Sequence, residues 1–395
     1  MNKVVSILGA LIPPVIFLYP QGILGGTYVN YFSTIFVAYV VWFGSGRKPA
    51  CKSLKFFTAW FWLQMFGNIV SLAMGKIDTE LLVKSTGSMI CIFCLSIIVT
   101  RLSQKGLKLF FTSLAITSVL AIALILIDGA QHPLWLYLLY GVEEFDENGA
   151  INIYYRAVGS LLSPVMAGFY CATVITYCLT MMMYGRHLLT HSLVGVAALA
   201  ALMFTVSRTA MLAIAFMFIF FAVFYKPKRK GSILLIAVLA LIVVYFVDLS
   251  FLDKFIENLT QRNEQFQNGY FRGTGREATI EDAFKHKFDW RCLLWGIGPA
   301  QYSIHEEFTS LAHNGLLSIF FPMGLIGVGM YYVNIKRYIV VKYKKWLHKP
   351  FILFTSLWLI MYLGTFFSAD VTSSFFSMAL MAMIWGLCDR IKLLN

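Results

Sequence analysis

The sequence predicts an all-α, polytopic membrane protein, and three observations lead to this prediction. Of the 395 residues, 59% are hydrophobic and only 13% are charged, whereas soluble domains carry about 25% charged residues. The apolar residues form long runs, close to the roughly 20 residues that a transmembrane helix needs. Lys and Arg are concentrated in alternate connections, as in cytoplasmic loops. The net charge of +13 is therefore assigned to loops facing anionic lipid, and nucleic acid is not expected as a partner.

Twelve apolar runs qualify as membrane spans. The first follows Met1-Asn2-Lys3, contains Pro13-Pro14 and has no small-residue cleavage site. It is therefore interpreted as a retained helix and not as a signal peptide. The predicted spans are 4–24, 29–45, 56–75, 83–100, 109–128, 161–184, 187–206, 209–225, 231–249, 313–334, 351–369 and 372–389.

The connections alternate between basic and nearly uncharged or acidic without a break if both termini are cytoplasmic. Lys226, Lys228 and Arg229 lie in one basic connection, and Asp78-Thr79-Glu80 forms an acidic one. The chain is thus predicted to be one multi-pass domain over 1–395, whose outer side would be the periplasm in a bacterial-type inner membrane. This topology exposes an outer loop at 129–160. It also exposes a large periplasmic loop at 250–312, between helices 9 and 10, which is expected to cap the active site.

The motifs of several enzyme classes are missing from the sequence. There is no Walker loop for ATP, no Asp-x-Asp for a metal-bound nucleotide sugar, and His305-Glu306-Glu307 lacks the spacing of a zinc protease. Cys91-x-x-Cys94 has no second ligand pair, and no cysteines are placed for a disulfide. Chemistry without a metal, nucleotide or other cofactor is therefore expected.

Ser207-Arg208-Thr209-Ala210 places an arginine between two apolar runs, at the outer end of the eighth span. A charge at that depth is costly and marks a functional residue. The alternative is an arginine whose guanidinium group reaches the lipid headgroups while its stem stays in the apolar region. The sequence leaves both interpretations open.

Further arginines are predicted on the same side of the membrane. Arg156 follows Tyr155, and the alternative for this pair is to anchor a helix at the interface. Arg272 and Arg276 flank Gly273 and Gly275 of the large loop. Glycine lets the backbone approach a ligand closely, and guanidinium groups bind phosphate oxygens through paired hydrogen bonds. An arginine cluster just outside the bilayer fits a lipid diphosphate.

His313-Asn314 opens the tenth predicted span. Histidine accepts protons near neutral pH, so His313 is a candidate general base for a sugar hydroxyl. A structural interfacial histidine is the alternative. Pro322 and the glycines at 324, 327 and 329 are expected to kink this helix and to open room for a ligand.

Taken in order, these residues resemble the O-antigen polymerase and O-antigen ligase superfamily of bacterial inner-membrane glycosyltransferases. The resemblance covers roughly residues 150–335. It rests on the order and sidedness of its motifs, which are Arg156 with Gly159 and Pro164, Ser207-Arg208-Thr209-Ala210, Arg276, Gly296-Ile297-Gly298-Pro299, Ala312-His313-Asn314 and Gly324-x-x-Gly327.

The resemblance implies a GT-C-like fold and a metal-independent, inverting transfer of a glycan from undecaprenyl diphosphate to a sugar hydroxyl. Arg208 and Arg276 would bind the diphosphate, and His313 would take the acceptor proton or orient the acceptor. Arg156, Arg272, Asn314 and Tyr155 would contact diphosphate or glycan. The implied partners are an undecaprenyl-diphosphate-linked oligosaccharide, membrane lipid, a chain-length regulator and a flippase.

Three functions follow from these features. Polymerisation of repeat units is favoured, because the elements at 296–299 and 156–164 look more like those of polymerases. Ligation of the finished glycan to lipid A core is the alternative, since His-Asn with spaced glycines is also typical of ligases. A flippase is a third reading, but no span carries a mid-membrane Asp or Glu, and a flippase is expected to carry charge around a central cavity.

Overall fold

The computed structural model describes residues 2–19, 26–45, 51–131, 136, 157–161, 163–225, 289–304, 315–339, 349–365 and 374–393. Within these ranges the protein is all-helical and contains no strand, which confirms the predicted fold class. The helices are α1 Asn2–Ala10, α2 Ile12–Leu18, α3 Gly26–Gly44, α4 Lys52–Ala73, α5 Thr79–Arg101, α6 Gln104–Gln131, α7 Pro164–Met183, α8 Leu188–Phe204, α9 Arg208–Tyr225, α10 Pro299–Ile304, α11 Gly315–Tyr338, α12 Pro350–Thr365 and α13 Phe375–Leu393.

The described helices coincide with eleven of the twelve predicted spans, and the span predicted at 231–249 lies outside the described residues. Among the described helices, α4, α5, α6, α7 and α11 are long and apolar enough to cross a membrane, and the others of similar composition are shorter. The first predicted span is divided at Leu11 into α1 and α2. Pro13 and Pro14 follow this division and lack amide hydrogens for helical bonds.

One end of the bundle, called here the basic end, joins the start of α1, the start of α4, the α5–α6 connection and the end of α13. The Ser53 amide donates to the Asp389 carboxylate at 2.7 Å, and Arg390 donates to the Leu102 carbonyl at 3.2 Å. Ser6 on α1 lies 3.4 Å from Ser103, measured between hydroxyl oxygens. The chain therefore starts its first helix and finishes its last at the same end.

The opposite end is called the polar-loop end, because residues 157–161 and 289–301 pack there. Ala157 donates to the carbonyl of Phe204, the last residue of α8 (3.1 Å), and the Ala300 amide donates to Asn68 near the end of α4 (2.9 Å). Both parts belong to the segments that the sequence assigns to the outer side. The structure thus gathers two predicted outer segments at one end of the bundle.

The largest side chains of the core are aromatic, and several of them lie on α12 and α13. Trp358, Tyr362 and Trp385 are fully buried. Trp358 stacks on Tyr362 with ring centroids 5.4 Å apart, and its indole nitrogen donates to the Thr173 hydroxyl at 3.0 Å. This bond stabilises the buried Trp358 indole, because unpaired polar groups are costly in an apolar interior. These contacts hold α12 against α7.

All seven cysteines are free and buried. Cys51 is the N-cap of α4. Cys292, within the predicted large loop, lies in a short 3-10 helix at Trp290–Cys292 and is 2% exposed. Burial raises the pKa of the Cys292 thiol, so the reactive thiolate is disfavoured at neutral pH.

Candidate functional site

Helix α11 is broken at the polar-loop end. Gly324 adopts φ 61° and ψ −163°, which no helix can accommodate. In an unbroken helix the amides of Leu325 and Ile326 would donate to the carbonyls four residues earlier, Phe321 and Pro322. They donate instead to the carbonyls of Leu293 and Leu294, at 3.0 Å each. The kink predicted from Pro322 and Gly324 is confirmed.

The other side of the break is paired by the same incoming segment. The Phe321 carbonyl accepts from the Ile297 amide at 2.8 Å, and the Pro322 carbonyl accepts from the Gly298 amide at 3.1 Å. Two helical hydrogen bonds are lost at the break, which leaves two carbonyls and two amides of α11 without helical partners. Residues 293–298, called here the docked segment, provide hydrogen bonds to all four of these groups. Unpaired backbone groups are costly at membrane depth, so a broken helix is tolerated where protein re-pairs it.

The two glycines of the docked segment are required by its geometry. Gly296 and Gly298 have φ values of 80° and 82°, in the left-handed region that favours glycine. A Cβ at Gly298 would lie 2.6 Å from the Asn68 amide nitrogen, and one at Gly296 would collide with the backbone of Pro322 and Met323. The Gly296-Ile297-Gly298-Pro299 motif thus has a structural role, which is to let a loop approach two helix backbones.

A polar stripe on α4 receives the end of the docked segment. Gln64, Asn68 and Ser71 are spaced by four and three residues and so share one helix face. Asn68 accepts from the Ala300 amide and donates to Ser85 on α5 at 3.1 Å. The Ser71 hydroxyl contacts the Ile297 carbonyl and lies 2.8 Å from the Gln301 side-chain oxygen. This stripe ties the loop to α4 and α5.

A cavity of about 780 Å³, called here the outer cavity, lies beside this junction. Helices α3, α4, α5, α11 and α13 form its walls, and α10 contributes Pro299 and Tyr302. Helix α10 belongs to the predicted large loop, whose role as a cap over the active site stays a prediction. The lining is mainly apolar and aromatic, with Gln64 as a buried polar group. Its volume falls within the range of ligand-binding pockets.

Lys84 also lines the outer cavity and is its described cation. Its side chain is 59% exposed and forms an ion pair with Glu80, one turn earlier on α5, at 2.8 Å. Exposed pairs of this kind contribute little stability, because water screens them. The Lys84 ammonium group can therefore exchange Glu80 for an anionic ligand at small cost.

A second junction at the polar-loop end joins the segment after Arg156 to the turn before Arg208. The Ala157 amide donates to the Phe204 carbonyl at 3.1 Å. The fully buried carboxylate of Asp128, near the end of α6, accepts from the amides of Val158 and Gly159 at 2.8 Å each. Two sequence motifs far apart in the chain are thus neighbours in the fold.

The turn that precedes α9 is strained. Val206 has φ 47°, which is a genuine outlier for a β-branched residue. Such conformations cost about 1–3 kcal/mol and persist only where surrounding structure imposes them. Ser207, the next residue, packs so closely on Gly168 of α7 that a Cβ there would lie 2.5 Å from the Ser207 Cβ. These contacts fix the backbone at which Arg208 begins α9.

The side chains predicted to carry the chemistry lie outside the described residues. Arg208 is described by its backbone alone, as the first residue of α9. The structure brings together the backbone flanking Arg156 and Arg208, and it places the 296–299 motif against α11. The predicted site residues outside the described ranges are Tyr155, Arg156, Arg272, Arg276, His313 and Asn314.

The sequence interpretation missed several polar residues that organise this end. Asp128 stands at the limit of a predicted apolar run, but it lies inside α6, which continues to Gln131, and it is fully buried. An apolar run contains Gln64, Asn68 and Ser71. Their spacing on one helix face could have predicted a polar contact surface on α4. Gln301, which contacts Ser71, is the second residue after the glycine motif.

Residues 193–332 match the family model described as O-antigen ligase. The matched stretch runs from within α8 to within α11 and includes Arg208, the docked segment and the break at Gly324. No curated protein matches the chain. The match supports a place in the O-antigen ligase and polymerase superfamily and a function in surface glycan assembly.

Asp128→Ala should destabilise the protein and reduce glycan transfer, because two buried amides lose their acceptor. An unsatisfied buried donor costs about 1–3 kcal/mol, so the free energy of unfolding should fall by about 2 kcal/mol or more. Chemical denaturation of the purified protein measures this change. Asp128→Asn keeps one carbonyl acceptor and should lose less.

Asp289→Ala is the matched control for Asp128→Ala. The Asp289 carboxylate pairs with the exposed Arg291 at 2.7 Å, and this hydrogen bond lowers the pKa of Asp289. The pair contributes under about 1 kcal/mol because Arg291 is exposed. The same carboxylate caps the 3-10 helix by accepting from the Arg291 amide at 3.0 Å, which adds about 1 kcal/mol, so the total loss should stay below that of Asp128→Ala. Equal stability losses in the Asp128 and Asp289 variants would contradict the supporting role of Asp128.

Proposed function

We propose that this chain is an inner-membrane glycosyltransferase. It polymerises undecaprenyl-diphosphate-linked oligosaccharide repeat units into O-antigen or a related surface polysaccharide, without a metal and with inversion at the anomeric carbon. The observation that carries the proposal is the match of residues 193–332 to the O-antigen ligase model, whose members are glycan-transferring enzymes. The preference for polymerisation rests on the elements at 296–299 and 156–164.

Arg208 and Arg276 bind the donor diphosphate in this proposal. Phosphate oxygens accept paired hydrogen bonds from guanidinium groups, and the charge that develops on the leaving diphosphate is stabilised by the same contacts. The start of α9 adds the positive end of a helix dipole at Arg208. His313 takes the proton from the acceptor hydroxyl or orients that hydroxyl.

Arg156, Tyr155, Arg272 and Asn314 complete the proposed contacts to diphosphate and glycan. The bond between Ala157 and Phe204 supports a common site for Arg156 and Arg208, because it holds their flanking backbones side by side. The outer cavity, with its apolar and aromatic lining, accepts isoprenoid units of the donor next to the diphosphate. Lys84 at that cavity adds a cation on the same end of the bundle.

The proposed orientation places the polar-loop end in the periplasm and the basic end in the cytoplasm. Basic connections are retained on the cytoplasmic side during insertion. Both termini are then cytoplasmic, which is supported by the presence of the α1 start and the α13 end at the basic end. The donor is reached after its oligosaccharide has been moved across the membrane by a separate flippase, and a chain-length regulator is a proposed partner.

A ligase that transfers the glycan to lipid A core is the second candidate. The description of the matching family model, O-antigen ligase, favours it. Both functions use the same donor and the same bond-breaking step. They differ in the acceptor, which is a second lipid-linked unit for a polymerase and a core sugar for a ligase.

The lipopolysaccharide banding pattern of a strain lacking this chain tests the proposal. Core that carries a single repeat unit is the expected result, because transfer to core continues while polymerisation stops. Core without O-antigen, together with polymer accumulating on undecaprenyl diphosphate, would establish the ligase instead. Single units trapped on the cytoplasmic face would indicate a transporter and would overturn both transferase assignments.

A further inference from the structure

A second cavity, of about 440 Å³, lies at the basic end, between α6, α7, α12 and α13. We call it the inner cavity. Its wall is aromatic, because the rings of Phe111 and Tyr177 have centroids 5.7 Å apart and those of Phe111 and Phe351 lie 5.9 Å apart. It is far along the helices from the polar-loop end and shares no lining residue with the outer cavity.

The rim of the inner cavity is basic. Lys105 and Lys108 come from the first turns of α6, and Arg186 comes from the turn between α7 and α8; all three are exposed. No carboxylate among the described residues forms an ion pair with them. Asp389 stands between two lining residues of α13, but it accepts from the Ser53 amide on α4 instead.

We propose that the inner cavity is a binding site for one anionic phospholipid of the surrounding membrane. Its phosphate contacts Lys105, Lys108 and Arg186, and the first part of an acyl chain packs on Phe111 and Phe351. Basic pockets between helices recognise anionic headgroups in this way. A zwitterionic lipid would bring a positive group to a rim that is already positive.

The surface next to the cavity continues the site along the membrane. Lys105, Leu109 and Ile116 are spaced by four and seven residues and therefore share one face of α6. Leu109 is 47% exposed and Ile116 58% exposed, so an acyl chain leaving the cavity meets an apolar track. A small soluble anion would use the rim but neither the aromatic wall nor this track, which is why a lipid is the occupant that fits. The site does not depend on the proposed function.

Native mass spectrometry of the purified full-length chain tests this inference. Phosphatidylglycerol and phosphatidylcholine with identical acyl chains are titrated separately, and the bound fractions are compared. Each basic residue near an anionic lipid surface contributes about a fivefold factor in affinity. The triple variant Lys105→Gln, Lys108→Gln, Arg186→Gln should therefore bind phosphatidylglycerol at least about tenfold more weakly, with phosphatidylcholine binding unchanged.

The matched control removes the same charge from the same end but outside the cavity. Lys52, Lys55 and Lys336 are exposed and do not line it, so their combined change to Gln should leave phosphatidylglycerol binding as in the wild type. An equal loss of phosphatidylglycerol binding in this control would show that general surface charge causes the effect, and it would contradict the proposed site. If the first triple variant does not fold, the single Lys108→Gln variant provides the readout, with a loss of about fivefold expected.

Inorganic phosphate distinguishes a lipid from a free anion. Because phosphate lacks an acyl chain, a large excess should leave the phosphatidylglycerol adduct in place. Displacement of the lipid by phosphate would overturn the lipid assignment. Equal binding of the two phospholipids by the wild-type chain would overturn the charge selectivity of the cavity.

Discussion

Gly298→Ala should release the docked segment from α4 and α11, lower the free energy of unfolding by about 3 kcal/mol or more, and abolish glycan transfer. Alanine at φ 82° carries a strain of about 1–2 kcal/mol. The new Cβ would stand 2.6 Å from the Asn68 amide nitrogen and 2.7 Å from the Gly67 carbonyl carbon. Both are backbone atoms of α4, which cannot move aside as a flexible side chain would.

Separation of the docked segment exposes further groups to an apolar interior. The carbonyls of Phe321 and Pro322 and the amides of Leu325 and Ile326 would lose their present partners. Each such hydrogen bond contributes about 1 kcal/mol, and an unpaired buried group costs more. Denaturation in detergent and the amount of polymer formed in cells complementing a deletion are the two measurements.

Two other glycines separate the causes of the Gly298→Ala effect. Gly75 has φ 66° but nothing within 4 Å of an added Cβ, so Gly75→Ala isolates backbone strain and should cost about 1–2 kcal/mol. Gly329 lies inside α11 with open space around it, and Gly329→Ala should gain about 0.5–1 kcal/mol. A Gly298→Ala protein no less stable than the Gly75→Ala protein would show that the close approach is unimportant.

Most of the helices could be predicted from the sequence, because a span in lipid must be long, apolar and internally hydrogen-bonded. Pro322 and Gly324 also predicted the break in α11. The partner of that break could not be predicted, since backbone bonds between residues 293–298 and α11 involve amides and carbonyls that every residue type carries. In the sequence, only Gly296 and Gly298 indicated this contact, because a close approach of two backbones leaves no room for side chains.

The supporting polar residues were missed for a related reason. Asp128 ends an apolar run, so a span limit was predicted there, whereas α6 continues to Gln131 and Asp128 is fully buried. The partners of Asp128, the amides of Val158 and Gly159, again carry no residue-specific signal. The sequence did not single out the polar stripe of Gln64, Asn68 and Ser71, because the composition of α4 as a whole is apolar.

Arg208→Ala and Arg276→Ala should each reduce glycan transfer by about 10²–10³ or more while the protein still folds. Removing one group that stabilises a developing anion has this effect in enzymes. Little stability should be lost at Arg208, because the backbone at the start of α9 is held by other contacts, including Ser207 on Gly168. The measurements are glycan chain length in complemented cells and transfer by purified protein from a lipid-linked donor.

Two further variants, Arg208→Lys and Arg291→Ala, test whether the loss of glycan transfer is specific to diphosphate recognition by particular arginines. Lysine keeps the charge but offers no planar fork of donors, so Arg208→Lys should remain strongly impaired if diphosphate recognition is bidentate. Arg291 belongs to the same large loop, yet its side chain is 81% exposed and pairs with Asp289, so its loss should leave transfer near the wild-type level. Normal chains from the Arg208 and Arg276 alanine variants would remove both from the diphosphate site. A diphosphate site of defined geometry depends on particular arginines and not on their number. An equal loss of glycan transfer in Arg291→Ala would therefore contradict such a site and would mean that transfer responds to any loss of positive charge in the loop.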